Sequence, residues 1–272
     1  MTRPQPCLSA GAASLLGSYL AGVELTQAAP WFAALTVVLI VACCNLVNDI
    51  IDAEVDSVDR PDRPLAAGTV EVSHVWMAAL MLVIGGMVFA AQLGPGAVIA
   101  AFSFLLAGVA YSMVLRRVPL LGHVWVALLF GATAVWGAWA TGGTVTKAAW
   151  MAGGLVALFL LPRELLKSIG DVRGDRLAGW RTSAVVWGRQ RTVMAISLTA
   201  VLFAVLTLVP VLGGIGGVGF LSVIWLGAVL PMFALVVWLW RHPDGEMRRA
   251  EFLSGLLWLP GLVALWLLGP GS

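Results

Sequence analysis

Nine apolar runs, each close to the ~20 residues that cross a bilayer as a helix, account for most of this chain. They fall at 8–28, 31–50, 74–93, 97–115, 121–140, 148–168, 191–211, 218–240 and 252–268, between charged or Pro/Gly-rich breaks. Only 11% of the 272 residues are charged, against roughly 25% in soluble domains, and the mean hydropathy is +0.96. The expectation is an all-α, polytopic membrane protein built as a nine-transmembrane-helix bundle.

The basic residues test that count. With the N-terminus in the cytoplasm, the loops after spans 2, 4, 6 and 8 are also cytoplasmic. Those loops and the adjoining helix ends hold 15 of the 16 Lys and Arg residues, from Arg3 through Arg60, Arg63, Arg116, Arg117, Arg173 and Arg189 to Arg248 and Arg249; Lys147 alone faces the other way. This is the positive-inside pattern, and losing or gaining one span would scramble it. The net charge of +2 adds little, because topology already explains the basic residues, and no nucleic-acid partner is expected. The first apolar run has no clear cleavage site and continues as a span, so a removable signal peptide is not expected. Cys7, Cys43 and Cys44 make neither a disulfide framework nor a metal spacing. No phosphate-binding Walker loop, dinucleotide fingerprint or nucleophilic triad is present.

Against this background two acidic clusters stand out, each at the end of a span. The first contains Asn45, Asn48, Asp49, Asp52, Glu54 and Asp56; the second contains Glu164, Lys167, Asp171 and Asp175. At about 100° per residue, Asn45, Asp49, Asp52 and Asp56 fall within an arc of roughly 60°, with Asn48 and Glu54 off that stripe. Glu164, Lys167, Asp171 and Asp175 fall within about 80°, provided the helix runs on through Gly170 and Gly174. Two carboxylates ~5 Å apart repel by roughly 3 kcal/mol at an effective dielectric near 20. A charge at mid-membrane costs ~2.5–3.5 kcal/mol even on the lenient insertion scale. Divalent cations with oxygen ligands offset that cost well, and Mg²⁺ characteristically takes one or two carboxylates together with substrate phosphate oxygens. The competing reading is a pair of solvated helix ends with incidental ion pairs. The clusters occupy equivalent places, the second helix of spans 1–4 and the second of spans 5–8, as an internal four-helix repeat would place them.

The ordered motifs resemble those of the UbiA superfamily of intramembrane prenyltransferases. Asn48, Asp49, Asp52 and Asp56, followed by Arg60 and Arg63, are similar to its first signature. Asp171 and Asp175, followed by Arg181, Thr182 and Gly188, are similar to the second, and Tyr111, Ser112 and Arg116 to an element between them, where Lys is usual in place of Arg116. The resemblance spans nearly the whole chain, and implies one prenyltransferase domain over 1–272. Its cavity would open to the cytoplasm, and sideways to lipid, under cap loops at about 57–73 and 172–190.

What the resemblance implies for the site is specific. Asp49, Asp52, Asp56, Asp171 and Asp175 hold Mg²⁺, which bridges them to the diphosphate of an isoprenoid substrate. Asn45, Asn48, Arg63, Tyr111, Arg116, Lys167 and Arg181 are expected to contact substrate. Simpler roles stand beside several of these: an ion pair from Lys167 to Asp171 at i,i+4, and membrane-interface anchoring for Arg60, Arg116 and Tyr111. Trp125, Phe130, Trp136 and Trp139 either line a prenyl tunnel or pack against neighbours. His123 follows Gly122 where many relatives have Asn or Asp, a departure that bears on the acceptor.

The expected reaction is Mg²⁺-dependent transfer of a prenyl group to an aromatic or lipid acceptor reached from the membrane. The cap residues Arg60 to Gly68 and Gly174 to Thr182 look most like the group that prenylates glycerol phosphate lipids. Two alternatives use the same residues. A UbiA-type terpene cyclase would trap the cation with its own chain, and would make a product without acceptor. A divalent-cation transporter or channel would need polar residues through the full membrane, and the outer halves of the spans lack charge.

Overall fold

The structure is a computed structural model that describes residues 4–242, 245 and 247–270; Arg3 and the side chains of Asp59 and Arg248 lie outside what it describes. All described secondary structure is helical. The first half contains α1 (Pro4–Leu20), α2 (Ala28–Ile51), α3 (Ala53–Asp59), α4 (Val72–Ala91) and α5 (Pro95–Met113). Then come α6 (Leu121–Ala140), α7 (Lys147–Gly170), α8 (Val172–Leu177), α9 (Ser183–Leu206) and α10 (Val209–Leu212). The chain ends in α11 (Val218–Ile224), a wider turn at Trp225–Val229, α12 (Leu230–Arg241), α13 (Met247–Leu256) and α14 (Trp258–Trp266).

Helical stretches occupy all nine expected runs, but among the described residues only seven are both long and apolar enough to count as spans by themselves. The outer two differ for local reasons. α1 is 17 residues long, and the last run is divided at Leu257 between α13 and α14. The seventh helix also begins earlier than expected, at Ser183 rather than near 191. Its first turn is set off by Gly188, whose φ of 76° and ψ of 168° break the helix. Glycine adopts that conformation without the Cβ penalty other residues carry.

Small residues let the helices approach. A methyl group at Gly17 would overlap the Ala134 carbonyl, and one at Gly137 would overlap the Ser14 carbonyl. α1 and α6 therefore meet backbone to backbone, and Gly131 and Gly153 bring α6 and α7 together in the same way. Van der Waals contact of this kind drives helix association in lipid, where apolar burial alone gives little. α6 and α7 thus form a rigid centre. On one side α2 packs with α4 and α5; on the other α9, α11, α12 and α14 complete the bundle. Many Leu, Val and Met residues on α4, α5 and α9 are exposed, as lipid-facing surface requires.

Candidate active site

Both acidic faces point into one cavity. It has a volume of about 550 Å³, and Asn45, Asn48, Asp49, Asp52 and Asp56 stand on its wall with Lys167, Asp171 and Asp175. The first face survives a break in the helix. α2 ends at Ile51 and α3 starts at Ala53, but the N–H of Asp52 donates to the Asn48 carbonyl and that of Asp56 to the Asp52 carbonyl, at 2.9 and 2.8 Å. The four-residue rhythm is kept, so the side chains stay in line. The same device operates between α7 and α8, where Asp171 N–H donates to Lys167 O and Asp175 N–H to Asp171 O, both at 3.0 Å. The helix does not run smoothly through Gly170, yet the expected face forms.

The aspartates are held by arginines from other segments. Arg116 pairs with Asp52 and donates to Asn48 Oδ1 at 3.2 Å, while Asn48 Nδ2 donates to Asp52 Oδ2 at 2.8 Å. Asn48, placed off the stripe by helix arithmetic, is therefore part of the site. Arg63 pairs with Asp56 and lies 3.6 Å from Asp49. Arg60 spans the cavity mouth, 2.7 Å from Asp171 and 3.4 Å from Glu251. Arg60 is thus tied into the site rather than serving only as an interface anchor. Lys167 pairs with Glu164 one turn before it, not with Asp171 as the i,i+4 alternative had it.

Asp175 is 1% exposed. Burial pushes its carboxyl up to about 6, against the opposing pull of a 2.8 Å hydrogen bond from Thr182 and of the Arg116 charge. Tyr111, Arg116 and His123 also line the cavity. Arg181 does not: it is exposed and lies outside the cavity wall. The loop instead turns Thr182 inward onto Asp175 at the cavity wall, where Arg181 was expected. Of the aromatic residues on α6, Phe130 and Trp136 reach the cavity, whereas Trp139 is 46% exposed.

Two residues of this region escaped sequence reasoning. Trp180 lies under both Arg116 and Arg117, with the guanidinium carbons 5.0 and 5.1 Å from its ring centroid. Glu251 comes from α13, close to Gly170, where a methyl group would overlap its carboxylate. No local pattern marks either one.

A Mg²⁺ ion fits the donor set. Among the described residues no three His, Cys, Asp or Glu side chains already stand close enough to hold a metal. Magnesium does not need such a cage, since it shares one or two carboxylates with phosphate oxygens and water. Two buried oxygens of the cavity wall, Asp52 Oδ1 and Asp175 Oδ1, have no hydrogen-bond partner, and buried acceptors of that kind ordinarily find one. Away from the carboxylates, the cavity is lined by Val37, Ile40, Phe104 and Trp136, so a polar mouth leads into an apolar arm.

A helical membrane bundle whose cavity has a charged mouth and an apolar arm suits a lipid-like substrate with a charged head. Residues 10–267 match the UbiA prenyltransferase family, and the chain belongs to it. It is an integral, multi-pass membrane prenyltransferase, transferring a prenyl group from an isoprenoid diphosphate to an acceptor reached in the membrane. The chain is 32% identical over 262 residues to the digeranylgeranylglyceryl phosphate synthase of Thermococcus kodakarensis, covering 93% of this chain and 90% of that one. A UbiA homologue from Aeropyrum pernix superposes with a TM-score of 0.81 at 19% identity, over 97% of this chain and 98% of the other. A homologue from Archaeoglobus fulgidus bound to dimethylallyl diphosphate and Mg²⁺ gives a TM-score of 0.71 at 17% identity, over 97% of each chain.

Proposed function

We propose that this prenyltransferase is Mg²⁺-dependent and that its acceptor is a glyceryl phosphate ether lipid, as in the relative from Thermococcus kodakarensis. The observation that carries the reading is the convergence of two aspartate faces on the mouth of a cavity with an apolar arm. Asp49, Asp52 and Asp56 would hold metal from one side, Asp171 and Asp175 from the other. When bound, Mg²⁺ supplies positive charge that makes diphosphate a good leaving group. Arg63, Arg116 and Lys167 complete the neutralisation by charge-assisted hydrogen bonds to diphosphate oxygens, and Asn45 and Asn48 orient it.

As the C–O bond breaks, its electron pair leaves with diphosphate and an allylic cation remains. Walls such as Val37, Ile40 and Phe104 keep water from quenching it. The Tyr111 and Phe104 rings offer cation–π attraction of ~2 kcal/mol or more when desolvated. The acceptor hydroxyl oxygen then attacks, and His123, buried on the cavity wall, is the base that takes its proton. The segregation of basic residues supports a site and an N-terminus on the cytoplasmic side.

The test is incubation of purified protein with Mg²⁺, geranylgeranyl diphosphate and geranylgeranylglyceryl phosphate, with mass analysis of products. The expected outcome is a doubly prenylated glyceryl phosphate and free diphosphate. A hydrocarbon or terpene alcohol formed from the diphosphate alone would favour a cyclase. Transfer to an aromatic acid in preference to the lipid would overturn the acceptor assignment.

A further inference from the structure

One basic side chain in the cavity wall differs from the rest. Arg60, Arg63, Arg116 and Lys167 each hold a carboxylate. Arg163, on α7 one residue after Pro162, also lines the cavity. Yet among the described residues its guanidinium makes no ion pair, and its buried Nε has no hydrogen-bond partner. Glu164 and Glu251 contribute to the field around it without pairing with it. An uncompensated guanidinium within a membrane bundle is costly, and an anion placed against it removes that cost.

Arg163 also stands at a junction. A second, much smaller cavity of about 60 Å³ adjoins the first, and Ser9, Phe130, Leu160 and Arg163 belong to both. Apart from Ser9 and Arg163 its lining is apolar, supplied by residues such as Phe159 and Phe203 and, on α14, Leu262 and Leu265. The molecule therefore has a second, short apolar arm that meets the first at Arg163. The arm bounded by Phe104 and Trp136 is the one assigned above to the donor's prenyl chain. A small aromatic acid would leave the second arm unfilled.

Resting on the prenyl-transfer reading above, we propose that Arg163 and this second arm form the acceptor's binding site. The ligand is a lipid with a phosphate monoester head, its phosphate on the guanidinium and the start of its chain between α1, α7 and α14. Guanidinium suits phosphate because its planar fork can give two parallel hydrogen bonds. Gly255 on α13 lets Gln5 and Arg163 pack together beside it: a methyl group there would sit 2.8 Å from Gln5 Nε2 and 3.3 Å from Arg163 Nη2.

The experiment is equilibrium binding to the full chain in detergent micelles, without donor. The probes are geranylgeranylglyceryl phosphate and its dephosphorylated alcohol, and the KM for geranylgeranyl diphosphate is measured in parallel. Arg163→Gln is expected to weaken binding of the phosphate lipid by about 10- to 100-fold, as loss of a charged hydrogen bond does. It should leave the alcohol and the donor KM unchanged. Gly261→Leu serves as the second variant, since nothing lies within 4 Å of a Cβ at that position of the arm. It is expected to weaken both lipids alike, and it keeps the assignment testable if Arg163→Gln does not fold. Wild-type affinity for the phosphate lipid in Arg163→Gln, or equal losses of donor and acceptor, would overturn the assignment, as would unchanged binding of both lipids to Gly261→Leu. Binding requires no turnover, so failure of the transferase reading, seen as no diphosphate release by the wild type with any acceptor, is distinguished from failure of this site.

Discussion

Arg60 Nη2 lies 2.7 Å from Asp171 Oδ1, joining residues 111 positions apart. The contact links the loop after α3 to the end of α7, and the same guanidinium reaches Glu251 on α13. Arg60→Gln should therefore loosen the mouth of the cavity without unfolding the bundle. The pair is about a quarter exposed, so solvent screening trims the effect to about 1–2 kcal/mol. Hydrogen exchange should quicken in α3 and α8 while α6 stays protected; unchanged exchange in both caps would refute the tie.

Asp52 and Asp171 are expected to be indispensable for turnover. Asp52→Ala removes the partner of Arg116 and leaves a buried guanidinium uncompensated, which costs about 3–5 kcal/mol. Asp52→Asn keeps the shape, and should lower turnover by ~10²-fold or more through lost transition-state charge stabilisation. Asp171→Ala, at a more exposed position, should remain folded and inactive. Diphosphate release measured beside thermal melting separates the two effects. Wild-type release from both Asp52→Asn and Asp171→Ala would discard the site.

Asp175, if it holds magnesium as proposed, should make binding of the ion depend on pH. Its folded value of about 6 lies above the ordinary 3.8, so between those values the fold binds more protons than the unfolded chain. Raising the pH through this window therefore removes stability from the metal-free protein. Magnesium competes with that proton, so its affinity should rise with pH up to about 6 and then level off. Thr182→Val deletes the hydrogen bond that favours the charged form and should move the profile to higher pH. Mg²⁺-dependent melting shifts at pH 5, 6 and 7 give the measurement; a profile flat from pH 5 to 7 would contradict it.

Trp180 should matter more than its position in a short loop suggests. Two guanidinium groups sit on its ring, and each such contact contributes about 0.5–2 kcal/mol, depending on exposure. Trp180→Ala is expected to release Arg116 from its present orientation and raise the KM for prenyl diphosphate, while Trp180→Phe recovers part of the loss. Equal KM values for the Ala variant and the wild type would show that the stacking is incidental.

The helices and the two acidic faces were legible because each depends on periodicity and length, which survive in a one-dimensional record. Asp49, Asp52 and Asp56 could be aligned by counting, and the single break at Asp52 does not disturb the count. Partners were harder. Lys167 has Glu164 and Asp171 at equally suitable spacings, but Asp171 pairs with Arg60 from 111 positions away and Lys167 with Glu164. Glu251 enters from the last tenth of the chain, and Arg181 and Thr182 exchange roles because the loop direction between α8 and α9 depends on packing. Arg163 read simply as one more cytoplasm-facing basic residue, since an absent partner has no sequence signature.

Four of the five aspartates at the cavity mouth already have an arginine beside them: Asp49 and Asp56 share Arg63, Asp52 has Arg116, and Asp171 has Arg60. A newly synthesised chain that carries its own counter-ions can leave the insertion machinery and close its bundle before any magnesium arrives, so growth under metal starvation should leave the amount of inserted protein unaltered.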